Sequence, residues 1–594
     1  MLPVDSHESA EALLPIASSL GGKSTESHIT LIGVTPLPPE STLSEGALLA
    51  QRLRNDLGRI LGEEDSISRR ADSIVSHNPW GDIRNLLAEQ GQENNLLLML
   101  WHPSRSYLQT NLAQALREPP CDIAIVHPAV SPKLIKRILL PVRGGPFATL
   151  SLNLAVRLAR ASNAEITLLR AIPEDEDAAS RALREEFSGL SDVIPEITGE
   201  VQVVGDSSTA ILRALKDHQA VVLGASAAPG ESPIGLVATL ILQRSDVTTL
   251  IVKTKEPFQM PERATKREEL PLLVQVEKWF AENTFNSHEF DDLARLVELK
   301  RKQGARISLG LPSLNDEATI GNIISTLKGR LIDGAPLLDE IVLIDGNSND
   351  STRKIAAELG APPFVHMDIL TRIGSFRGRG EAIWKGLYLL KGDIILWIDT
   401  TVIKPLPEII CGVLGPLLTN PSIQYVKGFY NRAHPTLTSE ERMTELLVRP
   451  ILNLFFPRLS GIVQPLAGIS GGRRAALERV PFFNGNTVEM ALLIEMQERF
   501  GMKAIAQVNL NEVEFSGKRN RNPGKEAFAI LQLLAHYLRE RGAADSEIPI
   551  ERTMKALRTE GGQLHLMEID VHEQQRPPII EISEYRGRHS PRLP

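Results

Sequence analysis

The chain has 594 residues, of which 42% are hydrophobic, and this length suggests roughly three or four domains of about 150 residues each. Its 65 basic and 73 acidic residues give a net charge of -8, without the basic excess that would predict nucleic acid as the main partner. Two cysteines are too few for a disulfide framework, and no apolar run approaches the roughly 20 residues of a membrane span, so we expect a cytoplasmic protein.

Strand-like and helix-like segments alternate over the first 255 residues, which is typical of a parallel sheet covered by helices. The sequence LPV near Met1 is followed by the strand-like ITLI, and the same order recurs from Ile138 as LLPV and ITLL. Matching offsets indicate an internal duplication with a period of roughly 130 residues. We therefore predict two α/β domains, which cover residues 1–130 and 135–255.

These two copies resemble tandem universal stress protein domains, small α/β modules of which many bind ATP. The resemblance matches Asp5 to the family's aspartate after the first strand, and Gly224 and Gly235 to its phosphate-binding loop. Ala227 and Leu236 replace that loop's second glycine and hydroxyl residue, and the first copy has no glycine there. We expect structural or regulatory modules rather than ATP or AMP sites, with a composite site formed by both copies as the alternative.

A boundary follows the second copy. Residues 256–270 contain two prolines among several charges and are predicted to be a linker. Amphipathic helices near 272–280 and 290–299 are expected to pack against the next domain, which spans 271–545. The remaining segment, 546–594, is predicted to be a peripheral arm that stabilises a homodimer.

Acidic residues stand at the ends of the predicted strands in the third domain. The first strand runs into a loop with Pro312 and Asp316, and the second ends at Asp345. The apolar run between Gly392 and Asp399 predicts a buried parallel strand that brings Asp399 to the carboxyl edge of a sheet. Ligands of α/β folds bind at that edge, and the pattern is typical of the nucleotide-binding half of a doubly wound sheet.

Several short motifs of this domain occur in an order that is typical of one protein family. They include PSLNDE from Pro312, IDGNSNDST from Ile344, RGRGEA from Arg377, VKGFY from Val426 and TELLVRP from Thr444. Together they resemble glucosyl-3-phosphoglycerate synthases, retaining glycosyltransferases of the type A (GT-A) fold that move glucose from a nucleotide sugar onto 3-phosphoglycerate. The resemblance implies a nucleotide-diphospho-sugar transferase fold, a UDP-, GDP- or ADP-sugar donor, and a small phosphorylated or acidic acceptor.

The resemblance also carries roles to individual residues. It implies donor binding by Pro312, Asp316, Asp345, Ser348 and Arg379. It implies acceptor binding by Arg442, Thr444 and Asn520, of which the first two match the family's acceptor loop. It implies catalytic roles for Asp399, Glu489 and Lys518, with Glu489 near the sugar hydroxyls. For any one of the charged residues, a solvated charge or a structural ion pair is the alternative.

The metal site departs from the family pattern. The family has a D-x-D motif at the end of the Asp399 strand, and a later histidine completes the site for a divalent cation. Here the motif is degenerate and reads Asp399-Thr400-Thr401, and Lys518 or Phe515 replaces the histidine. A threonine hydroxyl is a weaker ligand for Mg²⁺ or Mn²⁺ than a carboxylate, so Asp399 remains as a weak ligand and a metal is doubtful. Lys518 could supply part of the missing charge.

The sequence therefore supports two functions. The first is a retaining, sugar-nucleotide-dependent glycosyltransferase that transfers a hexose to a small acidic acceptor, and the preserved donor-side residues favour it. The second is a catalytically degenerate protein that senses nucleotides or nucleotide sugars, or acts as a scaffold. The loss of metal ligands and of phosphate-loop glycines motivates this alternative.

Overall fold

The computed structural model divides into two compact units, Met1–Glu268 and Glu269–Pro594. It describes the chain except for residues 22–27, 61–67, 90–94, 102–114, 117–118, 130–133, 143–145, 173–189, 191–193, 205–206, 226–233, 245, 256–270, 432–438, 517–521, 543–550, 561–562, 572 and 590–594. The predicted linker and the candidate site residues Lys518 and Asn520 lie outside the described residues. None of the described helices combines the length and the apolar composition that crossing a bilayer requires.

Strands and helices alternate through the described part of the first unit. The strands are β1 (Leu2–Val4), β2 (His28–Pro36), β3 (Ser68–Ser76), β4 (Leu96–Leu100), β5 (Asp122–His127), β6 (Arg137–Val142), β7 (Glu165–Ile172), β8 (Ile197–Val204), β9 (Ala220–Gly224) and β10 (Thr248–Lys253). The helices are α1 (His7–Gly21), α2 (Ala47–Ile60), α3 (Pro79–Glu89), α4 (Pro146–Ser162), α5 (Ser207–Ala214) and α6 (Leu236–Arg244).

One strand order occurs twice in this unit. In the first half, β1, β2 and β3 form a parallel sheet, and the Leu98 N–H donates to the Met1 carbonyl at 2.9 Å, which places β1 beside β4. The spatial order is β3-β2-β1-β4-β5 in the first half and β8-β7-β6-β9-β10 in the second. The antiparallel pair β5 and β10 joins the halves. The two halves thus share one strand order, and their division into domains of residues 1–130 and 135–255 stays a prediction.

The second unit is also a mixed α/β structure. Its strands are β11 (Thr284–Asn286), β12 (Ile307–Ser313), β13 (Glu340–Asp345), β14 (Pro363–Val365), β15 (Ile394–Trp397), β16 (Tyr425–Asn431), β17 (Ser470–Arg473), β18 (Phe482–Phe483), β19 (Ile505–Glu512), β20 (Thr553–Glu560), β21 (Gln563–Asp570) and β22 (Gln575–Arg576). Its helices are α7 (Leu272–Asn283), α8 (Leu293–Gln303), α9 (Ile320–Lys328), α10 (Thr352–Glu358), α11 (Arg379–Leu389), α12 (Pro407–Thr419), α13 (Ser439–Met443), α14 (Arg449–Phe455), α15 (Arg474–Leu477), α16 (Val488–Phe500), α17 (Pro523–Glu540) and α18 (Ser583–His589).

The main sheet of this unit has the order β11-β19-β16-β17-β15-β12-β13-β14, and only β17 runs antiparallel to its neighbours. The predicted strand before Asp399 is confirmed as β15, which lies parallel to β12. Ile394 and Leu396 pack into one hydrophobic cluster, whereas Ile395 and Trp397 pack into another, because alternate residues of a strand face opposite sides. Helices cover both faces, which explains the continuous apolar run in the sequence.

The prediction that the C-terminal arm is peripheral is wrong for its described part. Ile579 and Tyr585 are 0% and 1% exposed and belong to the hydrophobic core of the second unit. Strand β22 pairs with β18, and the Trp384 indole N–H donates to the Pro577 carbonyl at 3.0 Å. The sequence pattern around the prolines did not reveal this docking, because the partner residues are distant in the chain. A contribution of the arm to a homodimer stays a prediction.

The pH dependence of stability should report on this arm. Desolvation raises the pKa of Glu573, which accepts hydrogen bonds from the Thr487 hydroxyl at 2.7 Å and the Gly485 N–H at 3.3 Å. The folded state therefore holds this proton more tightly than the unfolded state, and stability falls as pH rises from about 4.3 through the raised pKa. Glu573→Gln keeps an acceptor but removes the ionisation.

We expect the Glu573→Gln variant to match the wild-type melting temperature at pH 4 and to exceed it at pH 8. Differential scanning calorimetry at both pH values provides the measurement. The control is Glu581→Gln, which changes an exposed glutamate of the same arm and should leave the pH profile as it is. A higher melting temperature of the wild type than of Glu573→Gln at pH 8 would contradict the raised pKa of Glu573.

Candidate functional site

The carboxyl ends of three neighbouring strands form the candidate site. Strands β13 and β15 flank β12 and run parallel to it, so the loops that follow all three strands meet at one edge of the sheet. Asp345 ends β13, Asp316 lies in the loop after β12, and Asp399 follows β15 by two residues. The structure therefore brings together these three acidic loops, as the sequence predicts.

The loop after β12 is tied to the segment that follows β15. One oxygen of Asp316, Oδ2, accepts hydrogen bonds from the Ser313 hydroxyl at 2.7 Å and the Leu314 N–H at 3.1 Å. The same oxygen accepts a hydrogen bond from the Thr400 hydroxyl at 2.6 Å. Pro312 is buried next to this contact. Thr400 thus connects the predicted nucleoside loop to the segment that carries Asp399.

The turn after β13 is held by its own side chains. Asp345 is 0% exposed, and its carboxylate accepts hydrogen bonds from the Asn347 and Ser348 N–H groups at 3.0 and 2.9 Å. The Ser348 hydroxyl donates to Asp345 at 2.6 Å and accepts from the Asn315 N–H at 2.9 Å. Such side-chain contacts fix turn geometry. Asp345 and Ser348 therefore shape the two loops, and direct contact with a nucleoside stays a prediction.

One carboxylate oxygen of Asp399 is engaged by Thr401. Its Oδ1 accepts two hydrogen bonds from Thr401, from the N–H at 3.0 Å and from the hydroxyl at 2.7 Å. Both residues are buried, with 5% and 6% exposure. Because the Thr401 hydroxyl proton points at Asp399, this threonine orients the carboxylate within the motif.

The Asp399–Thr401 motif offers one carboxylate to a divalent cation. Mg²⁺ at a phosphate-binding site uses one or two protein carboxylates together with substrate phosphates and water, and Asp399 is the one carboxylate among residues 399–401. Within the described ranges, no three His, Cys, Asp or Glu side chains are grouped so that they could hold a metal ion. The Ser516 N–H donates to the Thr401 carbonyl at 2.8 Å, so the chain passes beside this motif two residues before Lys518. Lys518 itself lies outside the described residues.

Arg379 and Asp399 both border Gly468. Arg379 opens α11, and its Nε and Nη2 donate to Glu489 Oε1 at 3.2 Å and to the Gly468 carbonyl at 2.8 Å. A Cβ atom on Gly468 would lie 3.1 Å from Asp399 Oδ2 and 3.4 Å from Arg379 Nη2, so the two charged groups flank this glycine. Arg379 Nη1 is buried and has no hydrogen-bond acceptor among the described residues. The guanidinium therefore has one buried donor that no described residue uses.

Lys427 completes this cluster and was missed in the sequence. It is 1% exposed in β16, contacts Glu489 Oε2 closely, and donates to the Ala467 carbonyl at 2.5 Å. Glu489 thus lies between two cations, Arg379 and Lys427, and is 3% exposed. Its two oxygens are engaged, which favours a role in orienting Arg379 over contact with sugar hydroxyls. A lysine within a buried strand was the sequence signal that could have revealed it.

The predicted acceptor residues lie on helices rather than on a loop. Arg442 belongs to α13 and is exposed, whereas Thr444 is 5% exposed and starts a π-helical turn, Thr444–Val448. The expectation of an acceptor loop at these two positions is therefore wrong in its backbone conformation, because helical hydrogen bonds continue through the motif. Their contact with an acceptor stays a prediction, and Asn520 lies outside the described residues.

The candidate nucleotide residues of the first unit are only partly described. Asp5 Oδ1 accepts hydrogen bonds from the Ser9 hydroxyl at 2.7 Å and the Ser6 hydroxyl at 3.3 Å, next to the start of α1. Gly224 ends β9, and Gly235 has a φ of 83° just before α6. Ala227 lies outside the described residues. A composite nucleotide site therefore stays a prediction.

Comparison with known proteins places this geometry among transferases. The family described as glycosyl transferase family 2 matches residues 308–400, which include β12, β13, β15 and Asp399. The glucosyl-3-phosphoglycerate synthase of Petrotoga mobilis is 40% identical over 312 residues, which are 52% of this chain and 96% of that protein. The synthase of the same description from Mycolicibacterium smegmatis is 35% identical over 277 residues, which are 46% of this chain and 88% of that protein.

Two solved structures are also similar to this chain. Mannosyl-3-phosphoglycerate synthase from Rubrobacter xylanophilus has 31% identity and a TM-score of 0.48, and the match covers 52% of this chain and 98% of that one. Glucosyl-3-phosphoglycerate synthase from Mycobacterium tuberculosis, in complex with Mn²⁺ and UDP-glucose, has 34% identity and a TM-score of 0.43, with 49% and 95% covered.

Proposed function

Because the chain belongs to the family of the glucosyl-3-phosphoglycerate synthases, we propose that its second unit transfers glucose from a sugar nucleotide to 3-phosphoglycerate or a similar small phosphorylated acid. The observation that carries this proposal is the buried, unpartnered Nη1 of Arg379, whose guanidinium borders Gly468 as Asp399 does, at the sheet edge that the glycosyl transferase family 2 match covers. We assign the transferase to residues 271–545, together with the C-terminal arm that docks on it.

Arg379 stabilises the leaving group in this proposal. Transfer of glucose releases a nucleoside diphosphate, and its developing negative charge requires fixed positive charge or hydrogen-bond donors. Arg379 presents the unpartnered Nη1, while Glu489 and the Gly468 carbonyl hold the rest of its guanidinium in place. Because the site is buried, this donor needs little reorganisation when the charge develops.

The acceptor side rests on the sequence motifs. We propose that Arg442, Thr444 and Asn520 bind the phosphorylated acid and that Lys518 adds a second positive charge near the diphosphate. Charge-assisted hydrogen bonds suit such an anionic acceptor. The exposed position of Arg442 supports this role, since a diffusible acceptor can reach it.

We propose that transfer proceeds without a bound divalent cation, since Asp399 is the one carboxylate of its motif and the Thr401 hydroxyl is a weaker ligand for a hard cation than a carboxylate. A Thr401→Asp substitution should then create a metal site. We expect Mn²⁺ to tighten UDP binding by at least about tenfold in this variant and by less than about threefold in the wild type. Isothermal titration calorimetry with UDP, with and without Mn²⁺, provides the measurement.

The matched control is Thr400→Asp, which adds the same charge one residue earlier, where the side chain contacts Asp316 rather than Asp399. Mn²⁺ should have little effect on UDP binding by this control. If Mn²⁺ tightens UDP binding to the wild type as much as to Thr401→Asp, the proposal of metal-independent transfer fails.

The function itself is tested with a panel of donors and acceptors. Purified full-length protein is incubated with UDP-, GDP- or ADP-glucose and with 3-phosphoglycerate, glycerate or phosphoenolpyruvate, with Mn²⁺ and with EDTA. We expect glucosylated 3-phosphoglycerate and free nucleoside diphosphate in equal amounts, in the presence of EDTA as well. Absence of both transfer and sugar-nucleotide hydrolysis for every pair would leave only the alternative of a degenerate sensor.

We further propose that the first unit consists of two universal stress protein-like domains, over residues 1–130 and 135–255. The repeated strand order supports this proposal. The engaged Asp5 carboxylate and the substitutions in the glycine loop favour a structural or regulatory role over ATP or AMP binding. Equilibrium dialysis of the full chain with labelled ATP tests this, and stoichiometric binding would contradict it.

A further inference from the structure

An arginine of the C-terminal arm contacts the glycine-rich loop, residues 374–380, that leads into α11. Arg576 lies in β22 and is 7% exposed. Its Nη1 donates to the Ile373 carbonyl at 3.0 Å, and its Nη2 donates to the Gly374 carbonyl at 3.1 Å. These contacts fix the start of the loop, because backbone carbonyls cannot move away without leaving buried guanidinium donors unpaired.

The same guanidinium holds the end of the loop. Its Nε and Nη2 donate to the two oxygens of Glu381 at 2.8 and 2.6 Å, a bidentate geometry that fixes orientation as well as distance. Glu381 is 0% exposed and lies two residues after Arg379. The guanidinium carbon also lies 4.4 Å from the ring centre of Phe376 and 5.1 Å from that of Trp384. One side chain thus holds the chain on both sides of Arg379.

The arm also supports this loop indirectly, through Asn484. The Gly380 N–H donates to the Gly485 carbonyl at 3.1 Å, and the Glu381 N–H donates to the Asn484 carbonyl at 2.9 Å. The Asn484 N–H in turn donates to the carbonyl of Gln574 at 3.1 Å. The backbone that receives the start of α11 is therefore itself held by the arm.

We propose that Arg576 is a positioning residue for donor binding, which acts through the glycine-rich loop to place Arg379 against the diphosphate of the sugar nucleotide. This inference rests on the proposed function. Arg576 is not needed to neutralise Glu381, because Lys385 Nζ lies 3.4 Å from the same carboxylate. The planar guanidinium of Arg576 joins Glu381 to the carbonyls of Ile373 and Gly374. A lysine cannot reproduce this geometry, because its ammonium is a single point charge.

The test compares Arg576→Lys with the wild type in the full chain. We expect the Kd for UDP-glucose, measured by calorimetry, and the KM for UDP-glucose each to rise by roughly tenfold, which corresponds to about 1.4 kcal/mol. The KM for 3-phosphoglycerate should change by less than about twofold, since the hydrogen bonds of Arg576 go to the segment around Arg379, a proposed donor-binding residue. A general loss of structure would instead impair both substrates alike.

Arg474→Lys is the matched control. Arg474 is another arginine that binds backbone carbonyls, those of Gly392 at 2.7 Å and Leu390 at 2.6 Å, and it also contacts Tyr585 of the arm. It does not contact the glycine-rich loop in the described structure. We expect this variant to lose thermal stability while it keeps the wild-type Kd for UDP-glucose.

A second variant covers the case in which Arg576→Lys does not fold. Phe376→Leu removes the ring under the guanidinium but no charge, and it should raise the Kd for UDP-glucose by roughly threefold without changing the KM for 3-phosphoglycerate. Wild-type values for both variants would overturn the positioning role while the proposed function stands. A folded wild type that neither binds UDP-glucose nor transfers glucose would remove the proposed function, and this inference with it.

Discussion

Replacing Arg379 by methionine is expected to lower kcat/KM for glucose transfer by roughly 100- to 1000-fold, because a preorganised donor to a developing negative charge has about this effect. Methionine fills a similar volume but leaves the diphosphate without the Nη1 donor. Steady-state kinetics with UDP-glucose and 3-phosphoglycerate provide the measurement. Circular dichroism of the variant distinguishes loss of chemistry from loss of fold.

The neighbouring arginine of the same loop is the matched control. Arg377 is exposed and precedes Arg379 by two residues, so Arg377→Met removes the same charge from nearly the same place. We expect its kcat/KM to stay within about threefold of the wild type, as is usual for an exposed charge. Arg379→Lys should lie between the two extremes, since it keeps the charge but loses the planar fork. A larger loss for Arg377→Met than for Arg379→Met would show that the wrong arginine has been assigned.

Removing the carboxylate of Glu489 should destabilise the fold itself. In Glu489→Gln, the buried Lys427 and Arg379, whose side chain is 10% exposed, lose their shared counter-charge, and breaking a buried ion pair costs about 3–5 kcal/mol. We therefore expect a clear decrease in the free energy of unfolding, measured by urea denaturation, together with loss of transfer. The amide also replaces one of the two carboxylate oxygens by an NH2 group, so that Arg379 or Lys427 faces a donor instead of an acceptor, which adds to the cost.

A double variant separates charge from packing. In Glu489→Gln with Lys427→Met, the buried lysine that lost its partner is replaced by an apolar side chain, so part of the lost stability should return. The control is Glu495→Gln on the same helix, where burial already raises the pKa of the carboxyl, and the loss should be smaller. Equal losses for Glu489→Gln and Glu495→Gln would contradict the importance of the cation cluster.

Much of the fold could be predicted from local patterns. The apolar run before Asp399 and the strand ending at Asp345 are consecutive stretches, and their burial on both faces follows from their composition. The interpretation of Asp399-Thr400-Thr401 as a degenerate D-x-D motif stays a prediction. Long-range pairing could not be predicted, because nothing near Arg576 in the sequence points to Glu381, which is 195 residues away.

The charged cluster shows the same limit. Glu489 was predicted as a site residue by resemblance, but its position between Arg379 and Lys427 depends on the register of β16 and α16 across the site. The sequence shows which residues are ionisable. It does not show that Arg379 and Lys427 contact the same carboxylate. The helical backbone at Thr444 was missed for a related reason, since a motif alone does not specify its backbone conformation.

The antiparallel contact of β5 and β10 has a consequence for how the first unit holds together. In an isolated half, the last strand would leave a row of unpaired backbone groups at the edge of the sheet, open to another chain. Here each half covers the other's edge through five residue pairs, from Thr249 with His127 to Lys253 with Ile123. Because both partners belong to one polypeptide, this pairing does not weaken when the protein is diluted, as association of two separate chains would.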